Sequence, residues 1–208
     1  MGAVMKTTTI LFSLLLWASG LTVADTHQTE KVINPFHVMP FALPQGNSQS
    51  YADYRKNWSR LTGFEYSGLH WKQFVAIFVN KGADIYRENY LAYLSLYRDE
   101  DDDEDEDEET EQVFKVYSQG TVFLKENYQA NQGKPGEPSS LTLMIKRQAG
   151  FDHQGGDWEY LQSDVNGDII MQGNSQDPQI KSACADCHMN MAERDYIFST
   201  FLTNKPMR

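Results

Sequence analysis

The chain has 208 residues, of which 40% are hydrophobic, and a formal net charge of −11 at neutral pH. A chain of this length holds one domain with a sizeable core and is short for two. The negative charge disfavours nucleic acid as a partner, because the phosphate backbone is bound by basic surfaces.

Residues 1–24 have the pattern of a secretory signal peptide. Lys6 supplies a positive charge, residues 10–17 form an apolar core, and residues 22–24 are small enough for cleavage. The apolar core is much shorter than the roughly 20 residues that a membrane-spanning helix needs. We therefore expect an exported protein without a membrane span, in which residues 25–48 form an extended lead-in punctuated by prolines.

Two helices and a strand are predicted before the middle of the chain. Ser50 has the character of a helix N-cap, and the pattern after it predicts an amphipathic helix. Three aromatic residues and then Leu61 follow Ser50 at three- and four-residue spacing. Residues 63–68 break this pattern, and residues 71–79 then alternate as a strand with both faces partly buried. A second helix with a stripe of tyrosines is predicted over residues 83–97.

A block of acidic residues follows the second helix. Every residue from Asp99 to Glu109 is acidic, and with Glu111 the block takes 12 of the 29 acidic residues, which leaves 17 against 18 basic ones. Because like charges repel and no apolar face is present, the run 99–111 is predicted to be a solvated loop insertion. Calcium binding and docking of a basic protein are the functional alternatives, but the run lacks the glycine and the spaced ligands of an EF-hand.

Beyond the acidic run the hydrophobic pattern changes to the period of two that is typical of strands. Turns separate the strands at residues 133–140, 150–157 and 166–167, the last being an Asn-Gly hairpin signal. Short turns favour an antiparallel meander, and after Pro178 the chain is predicted to be helical to about residue 202. The fold class is α+β, an antiparallel β-sheet with flanking helices and a C-terminal helix. The strands are predicted at residues 113–117, 121–127, 141–147, 158–162 and 168–172.

The C-terminal helix contains the sequence Cys-Ala-Asp-Cys-His at residues 184–188, which has the spacing of a c-type haem attachment site. Two thiols three positions apart can each form a thioether with one haem vinyl group. Cys184 and Cys187 are thus predicted to anchor one covalent haem c, and His188 to be the axial ligand of its iron. Because bacteria attach c-type haem outside the cytoplasm, this motif and the signal peptide together predict a periplasmic protein.

Three other uses of the two thiols agree less well with the sequence than haem attachment does. A zinc site needs about four ligands, whereas these are the only cysteines, and the other histidines are scattered at positions 27, 37, 70 and 153. A redox pair of the thioredoxin type is expected near a βαβ pattern rather than after a run of strands. A disulfide is a possible fate of two thiols in an oxidising compartment, but it gives His188 no role.

Several stretches in addition to the haem motif match one known family. They are HW at 70–71, FVN at 78–80, GTVFLKE at 120–126, LTLMIKR at 141–147, GDWEY at 156–160 and DYIF at 195–198. With these stretches the chain resembles the cytochrome P-460 and cytochrome c′-beta family over roughly residues 50–202. The resemblance implies a sheet-rich cytochrome, commonly a homodimer, with a five-coordinate haem and an open distal site. The acidic run departs from the family pattern.

Two functions divide that family, and a third belongs to another class of cytochrome. Members of the P-460 type oxidise hydroxylamine with a haem cross-linked to a lysine and with a distal carboxylate, and members of the c′-beta type bind nitric oxide under an apolar cap. An electron carrier would instead close the site with a sixth ligand such as methionine. We expect binding of nitric oxide or related nitrogen oxides, with hydroxylamine oxidation and electron transfer as alternatives and a redox protein as partner.

The residue types that these functions require are all present. Lys125 and Glu126 point to opposite faces of one strand, so at most one of them faces the haem. For His70, a structural role is favoured over a proton relay or a second axial ligand. For most of the candidates listed next, an ordinary role at the surface or in the core is favoured too. The candidates are Lys81, Lys115, Lys125 and Lys146 as cross-linkers, Glu126 and Glu159 as acids, Phe74, Phe78, Phe114 and Phe123 as cap residues, and Met144 and Met171 as sixth ligands.

Overall fold

The computed structural model describes three stretches of the chain, which fall in one compact unit. They are residues 40–46, 48–96 and 113–199. The predicted signal peptide 1–24, most of the lead-in 25–48 and the acidic run 99–111 lie outside the described residues. Within the described ranges no helix is long and apolar enough to cross a membrane.

In the described part of the chain, seven antiparallel strands form one sheet. They are β1 (Ser59–Arg60), β2 (Glu65–Ser67), β3 (Gln73–Val79), β4 (Val122–Asn131), β5 (Lys134–Lys146), β6 (Trp158–Asp164) and β7 (Ile169–Gly173). Their order across the sheet is β1-β3-β4-β5-β6-β7, and β2 also pairs with β3. The strands from β3 to β7 are neighbours both in sequence order and in space, so the predicted antiparallel meander and the α+β class are confirmed.

The helices are short except for one. They are α1 (Ser48–Tyr51), α2 (Tyr54–Asn57), α3 (Ala83–Ser95) and a C-terminal segment over residues 178–194. This C-terminal segment begins with an α-helical turn, passes through a π-helical turn at Lys181–Ala185 and a second α-helical turn at Asp186–His188, and ends as a 3₁₀-helix at Met189–Arg194.

Two apolar clusters lie on opposite faces of the sheet, because alternate residues of a strand point to opposite sides. On the first face Leu124 packs with Tyr54 of the N-terminal segment. On the second face Phe123 packs with Tyr86 of α3 and Ile180 of the C-terminal segment. The second face therefore lies beneath the segment that carries the Cys-x-x-Cys-His sequence.

The single helix predicted from Ser50 is wrong in its continuity. The structure has two short helices there, with Ser50 inside the first of them, and Trp58 already has an extended backbone. The cause is strand pairing, since Ser59 and Arg60 bond to β3 as strand β1. Tyr51 and Tyr54 are nevertheless buried as the aromatic stripe requires. Residues 65–67 form strand β2 inside the predicted break.

Two predictions in the sheet region are wrong. Residues 113–117 are not a strand, because their backbone bonds to side chains instead: Lys115 N–H donates to Asn89 Oδ1 and Tyr117 N–H donates to Asp195 Oδ2, each at 2.8 Å. The predicted turn 133–140 is mostly part of β5, which begins right after Gly133. Its prolines are accommodated where the register between β4 and β5 shifts.

The C-terminal helix ends earlier than predicted, at Arg194 rather than near residue 202. Asp195 and Tyr196 take left-handed backbone conformations with φ of 50° and 66°, and residues 197–199 follow without regular structure. Two such residues in succession cannot continue a right-handed helix. Residue 202 itself lies outside the described part of the chain.

Candidate haem-binding site

A largely apolar cavity lies on the second face of the sheet, beneath the C-terminal segment. The space within it, together with its open mouth, amounts to about 890 Å³. Strands β4, β5 and β6 form its floor with Phe123, Met144 and Tyr160. The opposite wall comes from Cys184, Cys187 and His188, so the structure brings the three residues predicted from the motif into one cavity.

A helix cap and contacts with the sheet hold the helical turns that carry the motif. Asp177 caps the segment, since its carboxylate accepts hydrogen bonds from the backbone N–H groups of Gln179 at 2.8 Å and Ile180 at 3.1 Å. Ile180 and Ala185 are fully buried and hold the segment against the sheet. Cys184 lies in the π-helical turn, an irregularity that is frequent at functional sites.

Both thiols are free, with Cys184 half-buried and Cys187 exposed. Burial raises the pKa of the Cys184 thiol, although the nearby Lys125 ammonium acts in the opposite direction. Redox-active thiols of the thioredoxin kind have a lowered pKa instead. The environment of Cys184 therefore does not resemble that of a thiol activated for disulfide exchange.

His188 has one ring nitrogen engaged and the other available. Nδ1 lies 2.7 Å from the carbonyl oxygen of Tyr196, and because a carbonyl only accepts, Nδ1 carries the proton and donates it. Burial lowers the pKa of His188 to about 4, although the bond to Tyr196 acts against this shift. The neutral ring thus keeps a lone pair on Nε2, which is the state that a metal ligand requires.

The carbonyl that holds His188 is itself held by the left-handed turn at residues 195–196. The indole Nε1 of Trp158 donates to the Asp195 carbonyl at 2.9 Å, and Lys146 Nζ lies 2.5 Å from Asp195 Oδ1. A Cβ on Gly156 would stand 2.2 Å from the Tyr196 ring, so glycine is required for this ring to pack. The GDWEY and DYIF stretches thus meet behind the motif histidine.

Among the four candidate lysines, Lys125 is the one that lines the cavity. Removal from water lowers the pKa of its ammonium to about 7, against the opposing effect of the neighbouring cysteines. The surface role favoured for Lys125 is therefore wrong. Lys81 donates to a backbone carbonyl near the surface, Lys115 pairs with Glu88, and Lys146 is bound by Asp195.

Neither of the two candidate acids lines the cavity. Glu126 points to the first face, as expected from its place next to Lys125, where it accepts hydrogen bonds from Tyr54 and Tyr128. Glu159 binds Arg147 and accepts from Gln172 Nε2 at 2.8 Å. No aspartate or glutamate is found among the described residues that line the cavity.

His70 lines the cavity, which the favoured structural role did not anticipate. Its ring centroid lies 6.3 Å from that of His188, and its Nδ1 lies 2.8 Å from Ser67 Oγ. Burial, with Lys125 as the next contributor, lowers the pKa of His70 to about 3. The ring is therefore neutral, and it is half-buried in the same cavity as the motif residues.

The apolar candidates divide between the two faces. Phe123 and Met144 line the cavity, whereas Phe74 and Phe78 pack on the first face. Met171 packs against the second cluster, and Phe114 lies near the Arg194 guanidinium. Phe198 is a cavity residue that the pattern did not single out, although it belongs to the matching stretch 195–198. Its ring meets that of His188 edge to face at a centroid distance of 5.2 Å.

The model of the cytochrome P460 family matches residues 96–199, half of the chain. The chain therefore belongs to the cytochrome P460 family. Membership of this family implies a haem cofactor, and the matched span contains the motif cysteines, His188 and Lys125, whereas His70 lies before it. A search of curated proteins found no match.

Proposed function

We propose that the protein is a c-type cytochrome that binds nitric oxide or a related small nitrogen oxide at the haem face opposite His188. In this proposal Cys184 and Cys187 hold one haem through thioethers, and His188 Nε2 is the axial ligand. The observation that carries the proposal is the bond from His188 Nδ1 to the Tyr196 carbonyl, because it directs the free Nε2 into the cavity that both thiols line.

The residues of the cavity fit a haem group. Its walls are mostly apolar, as the macrocycle requires, and the thiols are unbridged. Tyr160 Oη is buried and has no hydrogen-bond partner among the described residues, and burial raises the pKa of this phenol. It is therefore a neutral donor that is ready for a propionate or a bound ligand. The haem iron would supply redox chemistry and a coordination position for a small molecule.

Nitric oxide binding is favoured over hydroxylamine oxidation by the composition of the cavity. Oxidation of hydroxylamine releases protons as well as electrons, and the distal carboxylate implied for a P-460-type enzyme would accept those protons. Both candidate carboxylates are bound elsewhere, at Arg55 and at Arg147. A gas binder needs only steric access and an apolar wall, which Phe123 and Ile77 contribute to the cavity.

One observation favours the oxidase as a second candidate. Lys125 lines the cavity near both cysteines, and the resemblance implies that a P-460-type enzyme has a lysine cross-linked to its haem. Its lowered pKa leaves much of the amine uncharged at neutral pH, and an uncharged amine is the nucleophilic form. The position of Lys125 thus supports this candidate, whereas the lack of a carboxylate in the cavity does not.

Export, location and partners follow from the same proposal. A covalent haem c agrees with the signal-peptide pattern of residues 1–24 and with a periplasmic protein. A redox protein is the expected partner, since a haem of this kind exchanges electrons, and a homodimer is expected from the resemblance described above.

The cysteine pair is expected to be essential for haem retention. In the double variant C184S/C187S, haem is expected to be extracted by acidified solvent, because no thioether bond remains. The wild-type protein should keep its haem through a denaturing gel, where peroxidase staining detects it. The Asp186→Asn variant, which changes one of the two residues between the cysteines but leaves both thiols, is the matched control. Retained stain in the double variant would contradict the attachment.

Ligand addition and mass spectrometry separate the two candidate reactions. We expect the ferrous spectrum to change on addition of nitric oxide, hydroxylamine not to be turned over, and the haem peptide to carry no lysine cross-link. A haem peptide joined to the Lys125 peptide, and lost in Lys125→Arg but not in Lys115→Arg, would instead establish the oxidase type. A spectrum that neither nitric oxide nor hydroxylamine changes would support the third function, electron transfer.

A further inference from the structure

We propose that His70 is the sixth ligand of the haem iron, opposite His188, and that nitric oxide or a related ligand must displace it. The inference rests on the haem attachment proposed above and adds a gate to the same site. It also revises the open distal site expected from the resemblance.

The distance between the two histidine rings supports this assignment. Their centroids are 6.3 Å apart with an angle of 59° between the ring planes. Two imidazoles bound to one metal ion from opposite sides hold their centroids about 6 Å apart, because each metal–nitrogen bond is about 2 Å long and each ring centre lies about 1 Å behind its nitrogen. A small molecule between the iron and His70 would need a larger separation.

The hydrogen bonds of the two rings are alike. His188 Nδ1 bonds to the Tyr196 carbonyl at 2.7 Å, and His70 Nδ1 bonds to Ser67 Oγ at 2.8 Å. We assign the His70 proton to Nδ1, so that the ring donates to the serine and keeps the Nε2 lone pair. Histidines that bind metals usually make such a bond through the second nitrogen, which fixes the tautomer and the ring orientation.

The turn that carries His70 is folded against the ordinary preference of its residues. It joins β2 to β3, and its apolar residues Leu69 and Trp71 line the same cavity as the imidazole but remain 77% and 49% exposed. Trp71 and Lys72 have φ of 54° and 57°, a left-handed conformation that is unfavourable for such side chains. Strain of this kind is found where the position of a side chain matters for function.

Met144 and Lys125 also line the cavity and can bind iron. Met144 lies on β5 with Phe123 and Tyr160 as its cross-strand partners, so it belongs to the floor of the cavity. Lys125 is the neighbour of both cysteines. His70 is favoured because its ring centroid lies 6.3 Å from that of His188, close to the separation of two imidazoles bound to one metal ion from opposite sides.

The absorption and electron paramagnetic resonance spectra of the full chain with haem attached test this inference. We expect a ferric low-spin haem in the wild-type protein and a high-spin haem in His70→Ala, with the low-spin spectrum restored by added imidazole. His153→Ala, which removes an exposed histidine in a turn far along the chain, should behave as wild type. Ser67→Ala keeps the ring and should convert part of the ferric population to high spin.

Ligand kinetics test the gate separately from the proposed function. If His70 must leave first, His70→Ala should bind nitric oxide about 10- to 100-fold faster than wild type, because only the open fraction is competent. A high-spin ferric wild type, or a low-spin spectrum lost in Met144→Leu and kept in His70→Ala, would overturn the assignment. If the spin change occurs but nitric oxide binds neither protein, His70 ligation is supported and the proposed function fails.

Discussion

Replacing Asp195 by alanine is expected to destabilise the fold by about 3–5 kcal/mol and to disturb the axial histidine at the same time. The carboxylate pairs with Lys146, and the two side chains are 5% and 10% exposed. Removal of one partner leaves a buried charge uncompensated, which typically costs this much. Asp195 also accepts a hydrogen bond from the Tyr117 N–H at 2.8 Å, and alanine tolerates its φ of 50° less well than aspartate does.

Denaturant unfolding and the haem spectrum measure the two effects. A second Lys–Asp pair, within the C-terminal segment, supplies the control, because Lys181 and Asp186 are 3.1 Å apart but each is 55% exposed. Lys181→Ala should cost less than about 1 kcal/mol, as exposed pairs contribute little. A shifted axial-ligand spectrum is expected for Asp195→Ala alone, because the turn that carries the Tyr196 carbonyl would loosen. Equal losses in the two variants would contradict the argument.

The sequence alone predicts the meander well and its ends poorly. Alternation over β3 to β7 reports burial on each face, which is a local property of the strand and can be counted. The extension of β5 to Lys134 is not predictable from the pattern, because two prolines in it indicate a turn and only a register shift between β4 and β5 accommodates them. The segment 113–117 has the composition of a strand, but its backbone bonds to Asn89 and Asp195, which are remote in sequence.

The candidate site, like the fold, is predictable from the sequence only in part. The spacing of Cys184, Cys187 and His188 is dictated by the chemistry of one group, so it can be predicted from five consecutive residues. Alternation along β4 predicts that Lys125 and Glu126 face opposite ways, but it does not say which face holds the cavity. That is decided by the packing of the C-terminal segment onto the second face, through Ile180 and Ala185.

His70 shows most clearly what cannot be predicted from the sequence. A histidine next to a tryptophan at the start of a strand is ordinarily structural, and exposure of Leu69 and Trp71 runs against the usual burial of apolar side chains. The inward position of His70 depends on the left-handed turn at Trp71 and Lys72. No propensity favours that conformation for these residue types, so it could be found only in the folded chain.

On the first face of the sheet, the largest loss of stability is expected from Glu126→Ala. The carboxylate is 1% exposed and lies 2.5 Å from Arg55 Nε. It also accepts from Tyr128 Oη at 2.7 Å and from the Tyr54 hydroxyl. Alanine would leave a partly buried guanidinium without this carboxylate and two phenols without their acceptor, a loss of about 3–5 kcal/mol.

Denaturant unfolding of the haem-loaded protein measures this change. The control is Glu137→Ala, on an exposed part of β5, whose free energy of unfolding should stay within about 0.5 kcal/mol of the wild type. Replacing the charged pair together, as Arg55→Met with Glu126→Leu, should recover much of the loss, because two apolar groups leave no charge unpaired. In Glu126→Ala and in the double variant, the haem spectrum should stay that of the wild type, since Glu126 faces away from the cavity while Lys125 faces into it. A changed spectrum would show that the two faces of β4 are coupled, and a loss below about 1 kcal/mol would show that the cluster is not needed for stability.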